Sequence, residues 1–539
     1  MKVNRTSRFF PFFVFLSLSI GVLLGVVVSK WFDGYGLNVF NESSGKMMEV
    51  LRNINDKYVE EVDMDGLVDD IIPKVLEELD PHSSYIKAED VAKAGEDLKG
   101  SFSGVGIQFK VNDDTVHITD VIKGGPSEKV GLLPGDRIIS IDDESFVGDV
   151  VTNDEAMRRL KGEKGSVVKI GVKRHGVSEQ IYYTVERGDI PVKSVDAVYM
   201  LDKNLGYLKI NKVGETTYSE MLIALAKLQE LKFNGLVMDL RGNGGGYLGA
   251  AINMVNEFLS EDKLITYTEG RIMGRADYMS DGRGSYQRIP LIILTDETTA
   301  SAAEIISGAI QDNDRGIIIG RRTFGKGLVQ QPIELQDGSL IYLTVSRYYT
   351  PSGRCIQKPY SKGDNEGYNM DIVNRFENGE FFSEDSIHLQ GEKYLTSGGR
   401  TVYGGGGIMP DYFVAEDTTL ITPYYTEIAL SGLIPQFCYD YADKNRDKLA
   451  GYESASQIEY NLKTNNVLEQ FIKFADSKGV KRRNIMIKKS QPLFEQMIYG
   501  TIIYYMLEFD EYIKYINSFD PAVQKAVELY NKGLAFPKI

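Results

Sequence analysis

The chain has 539 residues, 42% of them hydrophobic and 25% charged, the balance of a folded protein but too long for one ordinary core, so length suggests roughly three or four domains. A net charge of -15 supplies no global basic field to hold nucleic acid. The two cysteines, Cys355 and Cys438, lie far apart and match no metal-ligand spacing; a disulfide and two free thiols both stay open, and neither fixes the redox compartment.

At the N-terminus, Lys2, Arg5 and Arg8 precede an uncharged run over residues 9–29, about 21 residues and long enough to cross a bilayer at roughly 1.5 Å per residue. Positive charge ahead of the run orients residues 1–8 to the cytoplasm and the remainder outside. A cleaved signal peptide is the competing reading. Against it, the run is long and Ala first occurs at position 88, so no A-x-A site follows. The expectation is an uncleaved transmembrane signal anchor.

Residues 47–58 carry apolar side chains at helical spacing, and residues 67–79 predict a second helix stopped by Asp80-Pro81. Together they form a helical segment placed at 45–97. The following L-D-P-H-S-S-Y-I reads as a turn, and His82 as a turn histidine. From residue 101 the texture changes to short strands punctuated by glycine. The turn Gly104-Val105-Gly106-Ile107 enters a strand; a strand at 116–122, a helix at 153–160 and alternating strands at 167–173 and 179–185 follow. This segment, placed at 98–188, resembles a PDZ domain, the specific part being P-S-E-K-V-G-L-L-P-G-D-R-I-I-S-I. Residues Gly104, Val105, Gly106 and Ile107 would then offer backbone N–H groups to a ligand carboxylate, and the strand after them an edge for an added peptide strand. The plainer reading is a tight turn.

From about residue 195 the order becomes β-α-β, with a strand at 206–213, an amphipathic helix at 215–231 and the apolar strand 235–240. R-G-N-G-G-G, a helix, strands at 264–268 and 291–295, a helix at 302–311 and a strand at 316–319 continue the pattern. The fold class expected is an α/β core with a mostly parallel sheet over 195–416, carrying a polar, Gly-rich insert at 360–400. Residues 417–539 read as a C-terminal helical domain without evident chemistry.

Two phosphate-binding look-alikes fail. Gly320-x4-Gly325-Lys326 matches a P-loop until Gly327 stands where Ser or Thr should bind Mg²⁺, and a strand follows where a helix should open. Gly244, Gly246 and Gly249 fit G-x-G-x-x-G, but Asp239 and Arg241 intervene after the strand and the match is isolated. Only four histidines exist, none beside a nucleophile turn, and neither G-x-S-x-G nor H-E-x-x-H occurs.

Ser301 follows a strand and a polar turn and opens a helix, where unpaired N–H groups and a positive dipole favour a developing oxyanion; an ordinary N-cap serine would look the same. Lys326 lies in a glycine-flanked loop. It can act as a base only if burial brings its pKa far below about 10.4. Gln330, four residues on, would share its face along a strand. Glu304 stands one turn from Ser301, either positioning the site or as a surface charge.

L-D-P-H-S-S-Y-I, the PDZ-like segment, D-L-R-G-N-G-G-G, T-A-S-A-A-E-I, T-F-G-K-G-L-V-Q, Y-Y-T-P-S-G-R and G-I-M-P-D occur in that order over about residues 45–415. In these stretches the chain resembles the carboxyl-terminal processing peptidases, the tail-specific serine protease family. The resemblance implies a ClpP/crotonase-like core with an inserted α+β PDZ domain, a catalytic Ser301, Lys326 as general base and Gln330 orienting the lysine. It implies oxyanion donors at the backbone of Ala302 and Gly245, although the family commonly has Pro where Gly244 stands. Its other implications are protein or peptide substrates with free C-termini, no metal or cofactor, and no nucleic acid. With the anchor, it places a single-pass protein in a bacterial inner membrane with the catalytic part in the periplasm or outside the cell. A homo-oligomer is one option. The competing function is a membrane-tethered PDZ peptide-binding protein with an inactive core.

Overall fold

The computed structural model describes residues 42–91, 94–95, 99–112, 114–387 and 391–537. Residues 1–8 and the expected membrane helix at 9–29 lie outside them. Among the described residues no helix is long and apolar enough to cross a membrane, and the expected fold class is corrected by removing its transmembrane helix. A span needs about 20 consecutive, mostly apolar residues, whereas the longest described helix, Asn484–Met506, has 23 residues but contains Lys488, Lys489, Glu495 and Pro492. Cys355 and Cys438 are both free.

The chain divides into two compact units, residues 1–76 and 77–539. The described part of the first consists of the helices Glu42–Lys57 and Met64–Glu77, the second running one residue past the division.

The second unit opens with the short strand β1 (Ser84–Ile86). A β-rich module follows, built from β2 (Ser101–Gly104), β3 (Ile107–Asn112), β4 (Thr115–Val121), helix α1 (Pro126–Val130), β5 (Arg137–Ile141), helix α2 (Asn153–Leu160), β6 (Val167–Lys173), β7 (Ile181–Glu186) and β8 (Gly188–Pro191). Its main sheet has the order β3-β4-β5-β6-β7, which leaves β3 at an edge, while β2 pairs with β8. Alternation sends Val116 and Ile118 of β4 and Val168, Ile170 and Val172 of β6 into one core, closed by Ala156 and Leu160 of α2.

The core of the unit then runs β9 (Val195–Met200), β10 (Leu205–Ile210), α3 (Thr217–Glu230), β11 (Gly235–Asp239), α4 (Leu248–Asn256), the hairpin β12 (Leu264–Gly270) and β13 (Gly274–Met279), β14 (Leu291–Thr295), α5 (Ala302–Asp312), β15 (Ile317–Gly320), β16 (Leu328–Glu334), β17 (Leu340–Tyr349) and β18 (Tyr412–Phe413). One sheet has the order β9-β10-β11-β14-β15-β18; β9 is antiparallel to β10 and every other neighbour is parallel. The strand expected at 264–268 forms but joins a second, antiparallel sheet of β1, β17, β12 and β13, with β16 added to β17. The short turn between β12 and β13 permits only antiparallel pairing.

The apolar runs of β11, β14 and β15 are buried on both faces, as parallel strands between two layers require. Leu236, Met238 and Ile293 pack against α3, α4 and α5. Val237, Ile292, Leu294, Ile317 and Ile319 face the other way, onto Ala522, Val523, Ala526 and Leu529. These last four lie on the final helix of the chain. The C-terminal region therefore closes the second face of the core sheet as well as enclosing a helical core of its own around Ile458, Phe471, Phe494 and Ile502.

Three of its helices tie the parts together: α6 (Asn484–Met506), α7 (Phe509–Asn517) and α8 (Pro521–Asn531). The Tyr504 hydroxyl lies 3.1 Å from Gln108 Oε1, and Lys110 Nζ donates to the Tyr505 hydroxyl at 3.1 Å, both partners being on β3. Glu508 pairs with Lys123. At the other end Asn517 donates to the Tyr199 hydroxyl at 2.7 Å and Asp520 accepts from Arg241 at 2.7 Å.

Candidate active site

Helix α5 is buried along its whole length. The turn leading to it is held by Asp296, whose Oδ1 accepts from Thr298 N at 3.1 Å and Thr299 N at 3.0 Å and whose Oδ2 accepts from Gly242 N at 3.1 Å. Ser301 sits at the helix start with φ 55° and ψ -120°, backbone that a residue with a Cβ adopts only under constraint. A sharp strand-to-helix turn of this kind presents a side chain outward from a rigid base.

Alongside runs the glycine turn after β11. Ala300 N donates to Asn243 O at 2.9 Å and Thr299 Oγ1 to Leu240 O at 3.0 Å. Gly245 has φ 95°, and a Cβ there would lie 2.7 Å from both Ala300 O and Ser301 Cβ and 2.8 Å from Ala302 N. Only glycine fits. Its own N–H donates to Asn243 Oδ1 at 2.8 Å, whereas Ala302 N–H, in the first helical turn, has no acceptor among the described residues. Ala302 and Gly245 are thus adjacent at Ser301, with the N–H of Ala302 open and that of Gly245 engaged.

Glu304 is fully buried; of its two expected readings, the surface charge is set aside. Its Oε2 accepts the backbone N–H of Ser301 at 2.8 Å and that of Lys326 at 2.8 Å. Its Oε1 accepts Gly325 N at 2.8 Å and the Thr323 hydroxyl. Burial pushes its pKa up to about 7 against these four donors. Gly327 N donates in turn to Gln357 Oε1 at 2.8 Å, so three successive N–H groups of the lysine loop end on buried side chains. The Tyr348 hydroxyl reaches the carbonyls of both Ser301 and Lys326. Burial also lowers the pKa of the Lys326 amine, while the carboxylates of Glu304 and Asp80 oppose that shift.

Lys326 precedes β16 rather than lying in it, and the register shifts between Val329 and Gln330. The two-residue alternation expected to put Gln330 on the lysine's face is therefore interrupted. Gln330 Nε2 donates to Thr344 Oγ1 at 3.4 Å, and Thr344 Oγ1 to Asp80 Oδ1 at 3.0 Å. Among the described residues no hydrogen bond joins the Lys326 amine to the Ser301 hydroxyl or to Gln330.

The turn 79–86, read as bland, lies at this site. The Asp80 carboxylate opposes the lowering of the Lys326 pKa, and the Lys326 charge in turn helps to lower that of His82. The insert contributes as well: Arg375 donates to Thr323 O at 3.1 Å and Arg322 O at 2.7 Å, and Tyr368 is buried against Phe324. The place of Asp80 and His82 within one of the family-like stretches was the available signal; nothing comparable marks Tyr368 or Arg375.

In the β-rich module, Gly104 bridges to Lys161, just beyond α2. Val105 O accepts from Ser127 N at 3.0 Å and Ser127 Oγ at 2.7 Å, Gly106 has φ 79°, and Ile107 begins the edge strand β3. The four residues form one pinned turn at the head of β3, the edge strand of its sheet.

Comparison with known proteins gives three family matches: peptidase family S41 over residues 204–373, a PDZ domain over 103–185, and a family of unknown function, DUF8443, over 424–508. The carboxy-terminal processing protease CtpA of Bacillus subtilis is 36% identical over 314 residues, covering 58% of this chain and 66% of that protein. A carboxy-terminal-processing protease of Bartonella bacilliformis is 32% identical over 358 residues, covering 66% and 80%. A solved photosystem II D1 C-terminal processing protease aligns at 29% identity over 59% of this chain and 86% of that one, with a TM-score of 0.33. The aligned region spans just under two thirds of the CtpA chain.

Proposed function

The chain belongs to peptidase family S41 with the carboxy-terminal processing proteases, and from that membership we propose that it is a serine endopeptidase that takes protein C-termini in its PDZ module and cuts upstream of them. The observation that carries the reading is the shared carboxylate: Glu304 Oε2 holds the backbone of Ser301 and of Lys326 at 2.8 Å each. A helix-start serine and a loop lysine are thereby kept on one rigid support.

In this reading Ser301 Oγ attacks the scissile carbonyl carbon and passes its proton to the Lys326 amine, which burial keeps available as a base. The tetrahedral oxyanion takes a hydrogen bond from Ala302 N–H and a second from the glycine turn. Because Gly245 N–H is given to Asn243, that second donor requires a small rearrangement of the turn on substrate entry. Collapse expels the amine with the proton returned by Lys326, and water then hydrolyses the acyl-enzyme. Gln330 supports the amine only indirectly, through hydrogen bonds from Gln330 to Thr344 and from Thr344 to Asp80, whose charge faces the lysine. The substrate tail adds beside β3 with its carboxylate at Val105, Gly106 and Ile107.

The test is incubation of the full chain with a folded protein ending in an apolar free C-terminus. Wild type should cleave it, and Ser301→Ala should leave it intact. Lys326→Arg should be as inactive, because a guanidinium cannot deprotonate here. Equal survival of the substrate with wild type and Ser301→Ala would leave the competing reading, a PDZ binding protein with an inert core.

A further inference from the structure

The lysine loop is connected to a histidine by hydrogen bonds whose direction can be worked out. Gln357 Oε1 accepts from Gly327 N at 2.8 Å, which fixes the orientation of the amide. Its Nε2 then donates to Lys358 O at 2.9 Å and to the Tyr368 hydroxyl oxygen at 3.2 Å. That oxygen already accepts from Gln357, so its own proton is free for the next partner, His82 Nε2, at 2.8 Å. The opposite arrangement would point two donors at the Tyr368 oxygen and leave its proton without an acceptor in a buried place.

We propose that His82 and Tyr368 are positioning residues for Lys326. Tyr368 caps His82 Nε2 with its hydroxyl proton, which fixes the ring as the Nδ1–H tautomer, and Gln357 joins the pair to the lysine loop at Gly327. This rests on the reading of Lys326 as the base. The rings of His82 and Tyr368 meet edge-on with centroids 5.2 Å apart. Charge reaches the imidazole from Lys326, Asp80 and Lys358, and burial with the two lysines holds its pKa down to about 4, Asp80 opposing. The ring is therefore neutral throughout the range in which Lys326 must lose its proton, and its Nε2 lone pair is occupied. His82 does not compete for the proton of Ser301. The insert that carries Tyr368 so becomes part of the catalytic support, with Lys358 held between the Phe324 and Tyr368 rings, 4.0 Å from each centroid.

The test is nitrogen NMR on the full chain labelled with 15N-histidine, His82 being identified by the signal lost in His82→Gln. The expected result is the Nδ1–H tautomer in wild type and loss of that preference in Tyr368→Phe. An Nε2–H ring in wild type, or an unchanged ring in Tyr368→Phe, overturns the proposal. This readout needs no turnover, so it decides the matter even if Ser301→Ala matches wild type, an outcome that would end the peptidase reading instead. In kinetics, Tyr368→Phe should lower kcat on the order of ten- to a hundredfold with KM little changed; a rise in KM alone counts against positioning. His82→Ala should move the acid limb of kcat/KM to higher pH, because water replaces the ring and solvates the ammonium. His82→Gln, which keeps bulk and an acceptor for Tyr368, should hold the limb near its wild-type place. An acid limb unmoved in His82→Ala overturns the role.

Discussion

Ser301 and Lys326 share one acceptor, Glu304 Oε2, through their backbone N–H groups at 2.8 Å each. Replacing Glu304 with Gln turns one oxygen of that acceptor into a donor facing N–H or O–H groups that cannot all reverse. The expected result is a loss of about 1–3 kcal/mol of stability, since hydrogen bonds to a buried carboxyl group are broken, and at least a hundredfold loss in kcat. Thermal unfolding and single-turnover cleavage measure the two. A Gln variant as stable and active as wild type would dismiss Glu304 as the support.

On the proposed function, the pH dependence of cleavage follows from Lys326. Its amine must be neutral to take the serine proton, so the rate rises with pH through the folded pKa, which burial sets below the ordinary 10.5. Stability runs in the same direction. At low pH the ammonium is buried in the folded state, and the penalty is fully felt. It disappears as pH rises from the folded pKa towards 10.5, where the unfolded chain also loses its proton. Lys326→Met should remove that slope from a plot of unfolding free energy against pH.

Gly245→Ala should fold with difficulty and fail to cleave. Its Cβ would meet Ala300 O and Ser301 Cβ at 2.7 Å from a backbone φ of 95°, and the relief must displace the helix start. We expect activity to fall by on the order of a hundredfold or more. Gly244→Ala, where nothing lies within 4 Å of the added carbon, is the control and should keep its fold.

Asp312 and Arg354 form a fully buried pair at 2.7 Å, reinforced by Gln311 at 2.8 Å. Asp312→Ala leaves a guanidinium without its countercharge in the core and should cost about 3–5 kcal/mol. The double variant with Arg354→Met should recover part of that loss. Chemical denaturation of the two variants checks it, and equal stability would show that the pair is not coupled.

A chain ending at residue 517 lacks α8 and uncovers Val237, Ile292, Leu294, Ile317 and Ile319. At about 1.5–3 kcal/mol for each large apolar side chain fully covered, that loss approaches the whole stability of a domain. The truncated chain should aggregate on expression. Its recovery as a monomer with full peptidase activity would mean that α8 is dispensable.

What could be read beforehand depended on local pattern. Glycine punctuation and alternation identified the β-rich module, and uninterrupted apolar runs such as L-I-I-L and I-I-I identified buried parallel strands. The strand at 264–268 was legible as a strand but not as a member of the other sheet, because pairing partners are chosen by packing. Spacing placed Glu304 near Ser301; its burial came from Thr323 and Gly325, which sequence distance hides. The bulge at Val329 and Gln330 interrupted an alternation argument that a regular strand would have satisfied. Tyr368 and Arg375 escaped because buried polar residues acquire their roles only from tertiary partners. The C-terminal region was legible as helical, but not which surface its last helix covers.

The helices α6, α7 and α8 hold the β3 strand at one end and the underside of the peptidase sheet at the other, through Gln108 and Lys110 on one side and Tyr199 and Arg241 on the other. On the proposed function, the distance from the tail pocket to the serine is then set by folded protein and not by a slack tether. Such an enzyme counts residues inward from the end of its substrate. Its cut site is a length measurement, and lengthening a substrate's tail should move the cut along with the tail instead of leaving it at a preferred sequence.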